Sequence, residues 1–87
     1  MKIAPNIIFR YESKIDGGTL FLFDLKNYKT FRGSIVEYKI LKYIQDNKDK
    51  EEIINRIENE FGIEDCKNKI ISFLKYLEEN KFVIKEG

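Results

Sequence analysis

The segment "DGGTLFLFDLKNYKTF", residues 16–31, constrains the fold more than any other part of the chain. It sets two runs of aromatic and branched residues on either side of a short polar connection, the pattern of paired strands. Upstream, "IIFRYE" at residues 7–12 has the same character. Between these runs Gly17 and Gly18 can take the positive φ that a hairpin turn demands. In the middle run, residues 19–25, Leu20, Leu22 and Asp24 alternate with Phe21, Phe23 and Leu25. Both faces therefore carry large apolar groups, as on a strand covered on both sides. Lys26-Asn27 makes the next tight connection. Tyr28–Arg32 is then a short third strand, with Tyr28, Thr30 and Arg32 on one face and Lys29 and Phe31 on the other. Pro5 precedes the first strand, where it costs no ladder bond.

After Gly33 the period changes from two to about three and a half. Ser34-Ile35-Val36-Glu37 is a capping box and opens a helix to about Gln45, with Val36, Ile40, Tyr43 and Ile44 as its buried stripe. A second box, Asp49 to Glu52, opens another helix, whose apolar face is Ile53, Ile54, Ile57 and Phe61 and whose stop is Gly62. The third helix begins near Asp65 or Cys66 and ends near Asn80. Ile70, Phe73, Leu74 and Leu77 form its stripe, with Ile71 on the flank. The closing "KFVIKE" reads as a short extended tail with Phe82 and Ile84 on one face. The expected fold is α+β: a three-stranded antiparallel β-sheet followed by three α-helices, winged helix-turn-helix-like, with a short terminal strand or tail. One domain over residues 1–87 accommodates all of it.

Composition narrows function mostly by exclusion. The chain has no histidine, which removes the usual general base and the commonest metal ligand. One cysteine, Cys66, allows neither an internal disulfide nor a zinc site, and fits a reducing cytoplasm. At the head of a helix its thiol could ionise more easily, but no base or basic pair stands beside it in sequence, and an inert thiol is the simpler reading. No Gly-rich phosphate loop occurs. The carboxylates fall where a solvated helix face would put them. No catalytic residue, metal or cofactor is therefore expected, and the chain is not read as an enzyme. No run reaches the ~20 apolar residues of a membrane helix, and none follows the N-terminus as a signal peptide would. Net charge is +1, so no global field draws the protein to nucleic acid or membrane. Residues 1–50 hold ten Lys/Arg against six Asp/Glu, and residues 51–87 six against nine, about +4 and −3.

A three-stranded meander has two edges, and an edge is either blunted or used. The third strand, with Lys29 and Arg32 near its exit, is weakly guarded. An extended peptide could add there, held by main-chain hydrogen bonds and selected by a neighbouring groove. The plain alternative is a short, solvated edge with the two cations as protection. Edge pairing into a dimer would compete with a ligand, so both monomer and edge-paired dimer stay open. The rival reading is a small winged-helix DNA-binding or transcriptional adaptor domain, built on the second helix, "FGIED" and the third helix, with the tail as half of a wing. Charge speaks against it. The third helix offers Lys67, Lys69 and Lys75 but no arginine for a guanine contact, and Glu64, Asp65, Glu78 and Glu79 lie at its ends. A scaffolding subunit of an enzyme is a further reading. Among the aromatics, Phe9, Phe21, Phe23 and Phe73 are expected in the core, while Tyr11 and Tyr76 fit either core or contact.

The Gly-Gly turn into "TLFLFD", the strand "YKTF", Ile40-Leu41, "EEIINRIENEFGI" and "IISFLKYLEENKFVI" together resemble the PqqD-like family. These are the recognition elements for ribosomally made, post-translationally modified peptides. The likeness runs from about Arg10 to Val83 and lies in the order of spaced apolar positions. Three places depart from the family's habit: Gly33-Ser34 replaces a frequent Leu-Asn, Glu37 a frequent glycine, and Lys81-Phe82-Val83 a frequent Gly-Leu-Ile. The resemblance implies a non-catalytic peptide chaperone that takes the leader segment of a precursor peptide as an added strand. It delivers the core segment to a modifying enzyme, with a radical S-adenosylmethionine enzyme as the first partner to suspect. Carried onto this chain, Tyr28, Lys29, Thr30, Phe31 and Arg32 supply the pairing. Ile71, Leu74, Lys75 and Glu78 are chosen as the groove wall, with Leu74 fitting the core equally well. Lys29 and Arg32 would steer an acidic leader.

Overall fold

The computed structural model describes residues 1–63 and 66–85. Its elements are β1 (Lys2–Ile3), β2 (Ile7–Glu12), β3 (Thr19–Asp24), β4 (Thr30–Gly33), α1 (Ile35–Gln45), α2 (Lys50–Phe61), α3 (Lys67–Glu79) and β5 (Val83–Ile84). Strands β2, β3 and β4 form an antiparallel sheet in that order, and β1 pairs with β5 in a separate two-stranded ladder. The α+β arrangement of three strands, three helices and a short closing strand is as the sequence leads one to expect.

Turn chemistry decides the strand boundaries. Asp16, Gly17 and Gly18 all take positive φ between β2 and β3. Gly18 has a second reason to be glycine: a Cβ there would lie 1.8 Å from the Tyr11 hydroxyl. The β3–β4 turn is longer than the expected Lys26-Asn27 pair. The buried Asp24 carboxylate accepts from the backbone N–H groups of Lys26 (2.9 Å) and Asn27 (3.0 Å) and from the side chains of Asn27 (3.0 Å) and Asn6 (2.6 Å). The Asn27 backbone bond is foremost among the causes that hold its pKa down at about 2, against the opposing effect of burial. Tyr28 closes this turn at φ +59 and donates its N–H to the Asp24 carbonyl at 2.8 Å. Tyr28 and Lys29 thus belong to the turn, and the strand expected at Tyr28–Arg32 is Thr30–Gly33.

The inner sheet face carries Ile7, Leu20, Leu22 and Phe31, against which the helices set Ile40, Leu41, Ile44, Ile53, Ile57, Ile70, Leu74 and Leu77. Fully burying each such aliphatic side chain contributes roughly 1.5–3 kcal/mol. The outer face has no cover among the described residues. Ile8 is 52 % exposed and Phe23 41 %, so the expectation that β3 is covered on both sides, with Phe23 in the core, does not hold. Phe9, Phe21 and Phe73 are half-buried.

The helix caps follow the sequence closely. Ser34 and Glu37 form the reciprocal box at the head of α1. Asp49 accepts from the Glu52 N–H at 2.9 Å, but Glu52 turns its own carboxylate to Lys48 and Arg56 instead of back to Asp49. Gly62 ends α2 at φ +61. The start proposed at Asp65 lies outside the described residues; α3 has Cys66 at its cap, without a side-chain bond. The tail also differs. Phe82 belongs to the turn after α3, donating its N–H to the Leu77 carbonyl, and is buried, whereas Ile84 is exposed. Their expected common face fails because Lys81 at φ +60 reverses the chain before the strand begins. No helix of the described residues is long and apolar enough to cross a membrane.

Candidate peptide-binding edge

Ladder parity fixes what β4 offers. The Asp24 N–H donates to the Lys29 carbonyl at 2.8 Å, and the paired positions continue as Phe23–Thr30, Leu22–Phe31, Phe21–Arg32 and Leu20–Gly33. Hydrogen-bonded and non-hydrogen-bonded pairs alternate in an antiparallel ladder. Phe31 and Gly33 therefore bond inward to β3, and Thr30 and Arg32 turn their N–H and C=O groups to the free edge. Among the described residues, these outward groups of Thr30 and Arg32 have no main-chain partner.

The Phe31 side chain, on the inner face, joins this edge to α3. Its ring centre lies 5.5 Å from that of Phe73 and 5.5 Å from that of Tyr76 on α3. Phe73 also lines a trough of about 390 Å³ with Val36, Ile40, Ile63, Cys66 and Ile70, rimmed by Ser34, Glu37 and Lys69. The trough opens where β4 runs into α1. Its lining is mainly apolar, which suits a buried side chain of a bound chain. A larger groove of about 480 Å³ lies at the other sheet edge between β2 and α1. It is lined by Ile3, Ile7, Ile8, Phe9, Tyr11 and Tyr38 together with Arg10, Lys42 and Gln45, and the surface it exposes is more polar than that of the trough.

The residues singled out from sequence separate into two groups. Thr30, Phe31 and Arg32 are on β4, with Tyr28 and Lys29 just before it. Ile71, Leu74, Lys75 and Glu78 instead share a concavity of about 250 Å³ with Met1 and Lys50. Leu74 is 3 % exposed and belongs to the core. Successive helix residues turn by about 100°, which sets Ile71, Lys75 and Glu78 roughly half a turn away from the Phe73–Tyr76 face that meets Phe31. The α3 contacts missed from sequence are Phe73, read there as core, and Tyr76, left open. The signal that finds them is the aromatic i, i+3 spacing on the helix side opposite the chosen residues.

No protein-family model matches the chain, and no curated protein does. A solved structure does: TbiB1 in complex with the TbiA(beta) leader peptide, at a TM-score of 0.82 and 19 % sequence identity. The match covers 100 % of this chain and 99 % of that one. At that identity the likeness is one of fold, and it extends from end to end.

Proposed function

We propose that this domain binds the leader segment of a ribosomally made precursor peptide by strand addition to β4. The observation that carries the reading is the outward main-chain edge at Thr30 and Arg32 beside an aromatic cluster and an apolar trough. It sits on a fold shared along its whole length with a protein solved around a leader peptide. Backbone bonds supply pairing that tolerates many sequences; the Phe31–Phe73–Tyr76 cluster and the apolar trough supply selection. The contact set is thus Thr30, Phe31 and Arg32 with Phe73 and Tyr76, flanked by Tyr28 and Lys29. Ile71, Lys75 and Glu78 stand outside it. In the finer reading the domain is PqqD-like, non-catalytic, and presents the core of the precursor to a modifying enzyme, a radical S-adenosylmethionine enzyme being the first to test.

Titration of isotope-labelled protein with the leader of a precursor peptide encoded beside it tests the reading. Amide shifts are expected at residues 30–33 and at Phe73 and Tyr76. Shifts confined to the Ile71–Lys75–Glu78 face, or to α2, would refute it. Salt separates strand addition from nucleic-acid binding, since only the latter weakens log-linearly and steeply as salt rises.

A further inference from the structure

Pairing geometry dictates where each side chain of a guest strand must point. Residues opposed across a ladder send their side chains to the same sheet face. Thr30 and Arg32 lie on the outer face, opposite Phe23 and Phe21. Guest residues opposed to them point outward as well. The guest residue between, opposed to Phe31, points inward at Phe73 and Tyr76. Its inward neighbour on the far side of Arg32 opposes Gly33, beside the Ser34 mouth of the apolar trough. Gly33 is held side-chain-free there, because a Cβ would come within 2.8 Å of the Phe31 ring.

Arg32 is the charge at the centre of this strip. Its guanidinium lies over the Phe21 ring, 5.1 Å from the centroid, which fixes its position without neutralising it. Its carboxylate neighbour, Asp16, is 3.9 Å away, and both side chains are open to solvent. Such a loose exposed pair holds little. The next outer-face cation, Arg10, is engaged by Glu12. Among the described residues, a guest strand on β4 therefore meets one loosely held cation on the outer face, and on the inner face the aromatic cluster at one adjacent position and the mouth of the trough, bordered by Ser34 and Glu37, at the other.

Resting on the strand addition proposed above, we infer that the bound peptide carries an apolar–acidic–apolar triplet. Its carboxylate lies opposite Arg32, one apolar side chain lies against the Phe31–Phe73–Tyr76 cluster and the other enters the Val36–Ile40–Ile70 trough. The triplet reads the same in either chain direction. A cross-strand charge pair favours binding by up to about fivefold over alanine.

The test is selection of a phage-displayed random dodecapeptide library on the intact protein and on Arg32→Glu, Arg32→Gln and Thr30→Pro, each checked for folding by circular dichroism. The wild type is expected to enrich Asp or Glu between two large apolar residues. Arg32→Glu should replace that acid with Lys or Arg while the flanking apolar residues persist. Arg32→Gln should leave the central position without charge preference. Thr30→Pro should enrich the triplet less strongly than the wild type does. An acidic preference unchanged in Arg32→Glu, or absent from the wild type while Thr30→Pro still weakens selection, overturns the triplet and leaves strand addition standing. Triplets enriched as strongly by Thr30→Pro as by the wild type, or no enrichment on the wild type, overturn both.

Discussion

Replacing Thr30 by proline separates the outward edge of β4 from its inward ladder. Proline removes the N–H and fills its place with ring carbons. Parity puts the Thr30 N–H on the free side, so no bond of the β3–β4 ladder is lost. Edge strands accept proline in this position. Stability should therefore stay within about 0.5 kcal/mol of wild type, the usual range for an exposed site. A guest strand loses one hydrogen bond, about 0.5–1.5 kcal/mol, or roughly 2- to 13-fold in affinity, and meets the ring in addition. Urea unfolding measures the first quantity and peptide titration the second. Hydrogen exchange of the free protein tests the premise without a ligand: the Phe31 and Gly33 amides should be protected and the Thr30 and Arg32 amides should exchange quickly. Slow exchange at Thr30 and Arg32, or a Thr30→Pro protein that unfolds, would refute the reasoning.

Gly33→Ala should force the Phe31 ring or the Glu37 side chain aside, since the new Cβ would sit 2.8 Å and 3.0 Å from them. A cost of about 1–3 kcal/mol in denaturant unfolding is expected, as for other overpacked sites. Leu74→Ala should cost about 2–5 kcal/mol in the same assay, as a buried leucine does. Ile71→Ala, half-buried, should cost less, and equal losses would argue against the placement of α3. Asp24 ionises at about 2 in the folded chain against an ordinary 3.8, so the carboxylate stabilises the fold above that ordinary value. That contribution should fade as pH falls from about 3.8 to about 2. Acid titration of thermal stability should show this loss, and Asp24→Asn should lack it.

What could be read from the residues was whatever local chemistry determines. The Ser34–Glu37 box, the Asp49 cap and the Gly62 stop each act within a few residues of chain, and each appears where the pattern puts it. The Gly17–Gly18 turn is legible for the same reason. The Asp24 turn was not, because its outcome depends on Asn6, eighteen positions away, joining Lys26 and Asn27 around one carboxylate. Strand β1 was missed because two residues carry no period, and its partner β5 lies at the other end of the chain. On α3 the apolar stripe identified the buried side, but not which flank would face β4. Ile71 and Phe73 sit on opposite flanks of Leu74, and only the packing of the Phe31 ring distinguishes them. The edge itself could be anticipated from strand count; its two outward amides required the register.

Tyr76 touches more than the edge. Its ring lies 6.1 Å, edge-on, from that of Phe82, whose carbonyl receives the Ala4 N–H at 3.0 Å beside the β1–β5 ladder. A row of rings thus runs from the β4 edge to the ladder in which β1 meets β5. Tyr76 therefore packs on both β4 and the turn that leads into β5, so truncating its ring removes contacts from both places at once.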